Sequence, residues 1–211
     1  MNPHLLIITV GIAYIVIFGA FSLLRREGLS AQFAIEVLGL TLIVVVGSLI
    51  TQTTVNPILF LAFIYLISMR GRLLVDLANY LSNRGRQRDA ISILQLSLRL
   101  YPDHNTRMIV LVNMGIVQVR RKNPESAQAL LEEVLQDVEK GSPMGIKYQA
   151  ACHYNLGLAL LQQGKDAQAV HQFNETSEVF PSSIYSEAAE IAIEKRKSGG
   201  LEPIDKTSNK M

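Results

Sequence analysis

Residues 5–24 form a run of 20 residues without a charge. At 1.5 Å per residue a helix of that length reaches about 30 Å, the thickness of a bilayer's hydrocarbon core. The leader Met1-Asn2-Pro3-His4 carries no Lys or Arg. A cleaved signal peptide needs a positive start, so a permanent anchor is expected. Two more apolar segments follow, at 34–50 and 55–69, the first with Glu36 near its start and the second stopping at Arg70. The short polar linker Thr51-Gln52-Thr53-Thr54 makes them a hairpin, and Pro57 suits the first turn of the third helix. Three spans are therefore expected within residues 1–70, with a buried or re-entrant third segment as the alternative, since that segment has only 15 residues.

The arginines fix the expected orientation. Arg25 and Arg26 lie between spans one and two, Arg70 and Arg72 follow span three, and no Lys or Arg precedes span one or separates spans two and three. The positive-inside rule places the N-terminus outside and everything after Arg70 in the cytoplasm of a bacterial, or the equivalent face of an organellar, membrane. Gly11 with Gly19, and Gly39 with Gly47, each sit eight residues apart on one helix face. They suit close packing of spans one and two, or a docking face for another membrane protein. Glu36 lies within a turn of the cytoplasmic end, where it reaches interfacial water. No second acid, His or Lys lies within the three segments to complete an ion path.

Charged residues make up only 18% of the whole chain, against about 25% in soluble domains, and hydrophobic ones 49%. This composition excludes disorder and argues against an ordinary cytosolic enzyme. The single cysteine, Cys152, excludes an internal disulfide and a multi-cysteine metal site. No phosphate loop and no Gly-x-Ser-x-Gly elbow is present, and the four histidines are scattered. Cys152 and His153 are adjacent, so on a helix they point about 100° apart and do not form a thiol–base pair. No enzyme activity and no cofactor are expected.

From Gly71 the pattern changes to amphipathic helices separated by polar turns, and it repeats. Residues 150–183 contain Tyr154-Asn155-Leu156-Gly157, then Gly164, Ala169, Phe173 and Pro181. Residues 71–104 place Leu77-Ala78, Gly85, Ala90 and Pro102 in the same register, and the irregular middle unit at 105–149 has Met114-Gly115 and Ala127. These features resemble the tetratricopeptide repeat family. The resemblance implies an all-α chain in which the three spans lead into an α-solenoid of about three helix pairs. Small residues sit where helices cross, and about three such units are needed for a stable stack. Residues 184–196 read as a capping helix with a polar outer face, and 197–211 as a flexible tail.

The resemblance also implies that the first helix of each pair lines a concave groove. The residues placed there are Asn79, Val112, Asn113, Ile116, Val119, Tyr154, Asn155, Leu158 and Leu161, and an apolar groove of this kind takes an amphipathic helix or an extended peptide. The alternative is that the chain's own C-terminal helix fills part of it. One subfamily clamps acidic chaperone C-termini. Asn79 and Asn113 match its asparagines, but Val75, Ala151 and Asn155 stand where its cations would be, so that docking is not expected. Residues 70–122 hold ten cations and three acids. Arg84, Arg86 and Arg88 fall in the first inter-helix turn and Arg120, Arg121 and Lys122 in the second, giving a basic edge. It is read as a solvated rim, or as a contact for anionic lipid or an acidic partner. Nucleic acid is not expected, because aromatic residues do not interleave with the cations.

Together these readings predict a membrane-anchored scaffold or adaptor that binds protein partners at the cytoplasmic face, in assembly of a membrane complex. The spans would be surrounded by lipid and open to association with other membrane proteins. The alternative is a small integral subunit whose spans carry the function and whose repeats regulate it. One further expectation concerns the junction. Between Pro57 and Asn83 only Gly71 interrupts the helical pattern, and one glycine costs about 1 kcal/mol without breaking a helix. The third span is therefore expected to run straight into the first repeat helix, holding the first basic turn about 20 Å above the bilayer.

Overall fold

The computed structural model describes residues 3–24 and 31–197. Arg25 and Arg26, and the expected tail beyond Lys197, lie outside the described residues. Among the described residues there are ten α-helices and no strand, so the chain is all-α. Helices α1 (Pro3–Leu24), α2 (Ala31–Thr51) and α3 (Pro57–Ser68) form an N-terminal bundle around Ile7, Tyr14, Val37, Phe60 and Ile64. Its outer surface is apolar, with Val16, Leu42, Ile43 and Leu59 each more than half exposed.

Helices α1 and α2 are each long and apolar enough to cross a membrane. α3 has 12 residues, about 18 Å, and reaches a spanning length only together with the helix that follows it. Its start is fixed by Asn56, whose side chain accepts from the Ile58 N–H at 2.9 Å, and by Pro57, whose missing N–H costs nothing there. Gly11 meets α2 so closely that an added Cβ would lie 2.5 Å from the Thr41 hydroxyl. A Cβ at Gly39 or Gly47 would have open space, so these two glycines, unlike Gly11, are not required for packing of α1 on α2.

The straight junction expected from the sequence is not what forms. α3 ends at Ser68, α4 (Arg70–Asn83) begins two residues later, and the two are bent by 67°. Two long-range contacts hold the bend. The Arg70 guanidinium donates to both carboxylate oxygens of Glu36, at 2.7 and 2.9 Å, and to the Ile67 carbonyl in the last turn of α3. Gly71 approaches α6 (His104–Arg120) so closely that a Cβ would meet the Thr106 methyl at 2.5 Å. Glu36 is therefore the partner of Arg70, a pairing not anticipated from the sequence.

From α4 on, helices pack in antiparallel pairs: α4 with α5 (Gln87–Arg99), α6 with α7 (Pro124–Glu139), and α8 (Ile146–Gln162) with α9 (Asp166–Val179). α10 (Ile184–Lys197) packs on α8 and α9. The pairs cross at small residues. Ala78 and Ala90 are fully buried in the first, and a Cβ at Gly115 would lie 2.6 Å from Leu131 in the second. In the third, a Cβ at Gly157 would lie 2.6 Å from the Phe173 ring.

Each pair turns in the same way. Gly85, Lys122 and Gly164 have φ of 78°, 57° and 73°. The residue after each donates back to a carbonyl five positions earlier: Arg86 to Leu81, Asn123 to Gln118, Lys165 to Leu160. This is the hydrogen-bonded closure that satisfies the last carbonyls of a helix and needs a left-handed residue. Lysine holds that conformation at a cost of about 1 kcal/mol or more, which glycine avoids. Lys122→Gly should raise unfolding stability by about 0.5 kcal/mol after glycine's greater freedom in the unfolded chain is subtracted. Gly164→Ala should lower it by about 1 kcal/mol, since a Cβ there meets nothing and only the backbone is strained. Chemical denaturation of the two variants checks the opposite signs.

Candidate partner-binding surfaces

The residues expected to line the concave face come from α4, α6 and α8, but the structure divides them. Val112 is fully buried, and Asn113, Val119, Tyr154 and Asn155 are each less than a tenth exposed. The expectation of an open groove at these five positions is corrected. α8 packs directly on α6 and draws Val112 into one cluster with Met108, Leu131, Ala151 and Tyr154. The Tyr154 ring lies 5.9 Å from both Phe173 and Tyr185. Because Tyr185 belongs to α10, the chain's own C-terminal helix covers this end of the face. The two asparagines donate to their own helices, Asn113 to Ile109 O and Asn155 to Ala151 O, each at 2.7 Å.

What remains open is narrower. Ile116, Leu158 and Leu161 are half-buried, as is Asn79 on α4. Ile116, Leu158 and Leu161 leave a partly open apolar ledge on the core cluster. Arg120 does not stand on the basic edge as expected. It is half-buried, and its Nη1 donates to Ser82 Oγ and Asn83 Oδ1, both at 2.9 Å, tying α6 to the end of α4. Burial lowers its pKa, with the Tyr185 phenol pulling the other way. The Tyr154 and Tyr185 phenols are both raised by burial; for Tyr185, Tyr148 adds to the rise and Arg120 opposes it. Tyr148, Tyr154 and Tyr185 belong to the same apolar cluster as Ile116, Leu158 and Leu161. Tyr148 and Tyr185 were missed in the sequence. Each sits in the first turn of its helix, where spacing alone does not say which way a ring is aimed.

The basic edge does assemble from two turns. Arg84, Arg86, Arg88, Arg121 and Lys122 are exposed. Arg86, Arg88 and Arg121 line one shallow depression together with Gly85, Gln87 and Asp89. Part of its charge is already matched: Arg86 Nε donates to Asp89 at 2.6 Å, and the Arg84 guanidinium lies 4.4 Å over the Tyr80 ring. At the far end of the domain Asp166 pairs with Arg196, whose cation lowers the carboxyl pKa.

Cys152 and His153 turn to different sides of α8. The Cys152 thiol is buried and donates to Leu131 O at 3.3 Å, while His153 Nδ1 pairs with Gln172 Oε1 at 2.8 Å. Burial pushes the Cys152 thiol far above the ordinary thiol range. Reaction needs the exposed thiolate. A thiol reagent added at neutral pH should therefore leave the folded chain unmodified and titrate one equivalent in denaturant. Rapid labelling of the native chain would contradict the packing of α8 on α7.

Residues 151–183, which run from within α8 through α9 to the residue before α10, match the tetratricopeptide repeat family model. The match supports assignment to that family, whose domains bind protein partners. No curated protein and no solved structure matches the chain.

Proposed function

We propose that this tetratricopeptide-repeat chain is a membrane-anchored scaffold that holds a protein partner at the cytoplasmic face during assembly of a membrane complex. One observation carries the reading. Two helices of 22 and 21 residues, each with an exposed apolar surface, lead through α3 directly into stacked helix pairs of a protein-binding family. A chain built in this way keeps its binding domain within a few tens of ångströms of a bilayer. We assign it no catalytic role and no cofactor. The partner segment is an amphipathic helix or extended peptide laid on the ledge of Ile116, Leu158 and Leu161. The basic residues Arg86, Arg88, Arg121 and Lys122 complement acidic groups beside it.

The orientation follows the arginines. Arg70 and Arg72 stand at the end of α3, on the side that the positive-inside rule gives to the cytoplasm of a bacterial inner membrane or its organellar counterpart. A membrane-impermeant maleimide added from outside should modify Asn2→Cys or Thr53→Cys and spare Ser208→Cys. The reverse pattern would invert the topology and place the ledge on the other side.

The ledge has its own test. Ile116→Glu and Leu161→Glu each place a charge that docking would have to desolvate, at a cost of at least 1–3 kcal/mol on protein-derived scales. Crosslinking from a residue beside the ledge identifies the partner. Each variant should then weaken its capture by about tenfold or more, with the thermal unfolding of the full chain little changed. Folded variants that bind as well as the parent would remove the ledge as the site.

A further inference from the structure

α4 has two faces. Gly71, Val75, Ala78 and Ser82 are buried in the repeat core. On the opposite side Arg70, Leu73, Leu77, Tyr80 and Arg84 recur at intervals of three and four and share one stripe. Leu77 and Tyr80 are 45% and 52% exposed, although the stripe is apolar between its two arginines. In the later pairs this side of the first helix is covered by the preceding pair. Here the preceding element is the spanning bundle.

Three observations say what lies against the stripe. First, its leading residue, Arg70, points toward the bundle, since it reaches Glu36 of α2 and the Leu100 and Tyr101 carbonyls after α5. Second, the 67° bend lays α4 down. Its 14 residues are about 21 Å long, so with α3 upright the far end rises only about 8 Å above the near end. Third, α1 overshoots the bend. The Tyr14 hydroxyl meets Ser68 Oγ at 2.7 Å, yet α1 continues through ten further uncharged residues to Leu24, about 15 Å. An apolar layer thick enough for α1 therefore extends past the level at which α4 begins. Tyr101, 85% exposed, lies at that same level beside Gln32 of α2, which donates to its carbonyl at 2.9 Å. The charge suits an anionic surface: from Arg70 to Arg99 the sequence has six arginines and two aspartates.

The geometry points to α4 lying in the interfacial layer of an anionic leaflet, with Leu73, Leu77 and Tyr80 among the upper acyl chains and Arg84 at the phosphates. This rests on the membrane reading above. It gives the first helix pair a lipid contact, where an upright helix would have held its basic turn beyond reach. Tyr80 with Arg84 over its ring is the kind of amphipathic pair that settles at a headgroup boundary.

The chain has no tryptophan, so single substitutions are clean reporters. The full chain is reconstituted in vesicles of phosphatidylcholine and phosphatidylglycerol in equal parts, with brominated acyl chains as quencher. Tyr80→Trp should be quenched at least half as strongly as Val46→Trp on the outer face of α2, and Ile191→Trp on α10 should not be quenched. Replacing phosphatidylglycerol by phosphatidylcholine should cut the Tyr80→Trp quenching at least twofold and leave Val46→Trp unchanged. If Val46→Trp is quenched and Tyr80→Trp behaves like Ile191→Trp, the lipid contact is overturned while the membrane reading stands. If Val46→Trp is not quenched, both fall. Equal quenching of Tyr80→Trp in the two lipids would overturn the anionic preference. Blue-shifted but unquenched emission that returns to longer wavelength as the protein is diluted in lipid would assign the stripe to a second copy of the chain, and would also overturn the proposal.

Discussion

The pairing of Arg70 with Glu36 decides how the two halves of the chain relate. A guanidinium has five N–H groups in a fixed fork. Here they are spent on the Glu36 carboxylate, the Ile67 carbonyl in the last turn of α3, and the carbonyls of Leu100 and Tyr101. One side chain thus joins α2, α3, and the turn between α5 and α6. A bidentate pair with a carboxylate is stronger and more directional than a neutral hydrogen bond. Both partners are only about a quarter exposed, 26% and 28%, so solvent screens them less than a surface pair. Removing either would leave the Gly71–Thr106 approach as the remaining long-range contact at the bend and would leave the other charge at the edge of an apolar bundle, where it has no comparable partner.

The local features of the fold were legible in the sequence because they are local in physics. The uncharged runs give α1 and α2, and the proline at position 57 starts α3. Gly85 and Gly164 sit at left-handed turns, and Gly115 and Gly157 at helix crossings. The bend was not legible by the same means. Nothing in residues 57–83 breaks a helix strongly, and the hydrophobic pattern continues through Gly71. The bend is made by residues 34 positions away in Glu36 and 35 positions away in Thr106. A signal was present in the topology all the same. In a hairpin of antiparallel helices, an acid near the start of one and an arginine just past the end of the other lie at one level. The apolar segments themselves hold no partner for Glu36, and Arg70 stands just past the end of the third.

The concave face shows a different limit. Its residues were placed by register, and register says which side of a helix a residue takes but not what comes to rest on that side. Val112 and Ile116 are one turn apart on the same stripe of α6, yet the first is fully buried and the second half-exposed. α8 runs along both halves of α6, its Ala151 clustered with Val112 and its Ala159 with Val119, so register alone does not say which positions between them stay open. Tyr154 is lost to the open face because α10 brings Tyr185 against it, and α10 comes from a part of the chain that carries no repeat signature. Arg120 departs from the basic edge for a similar reason. Its neighbours Arg121 and Lys122 are exposed, but Arg120 is one residue earlier, still inside α6 and turned to Ser82 and Asn83 of α4.

The two-sided character of α4 also sets the direction in which the domain grows. Its buried face takes α5 and α6, and its outer stripe begins at the residue that grips the N-terminal bundle. With the stripe against a leaflet, each later pair is stacked one layer farther from the lipid, and packed helices are separated by about 8–10 Å. That spacing is close to the screening length of about 8 Å at physiological ionic strength. The basic edge therefore divides by distance. Arg84, in the first turn, is within reach of lipid phosphates, while Arg121 and Lys122, one layer out, feel that surface only weakly. The ledge of Ile116, Leu158 and Leu161 belongs to the outer layers, so a segment docked there would pass Arg121 and Lys122 without competing with the membrane for them.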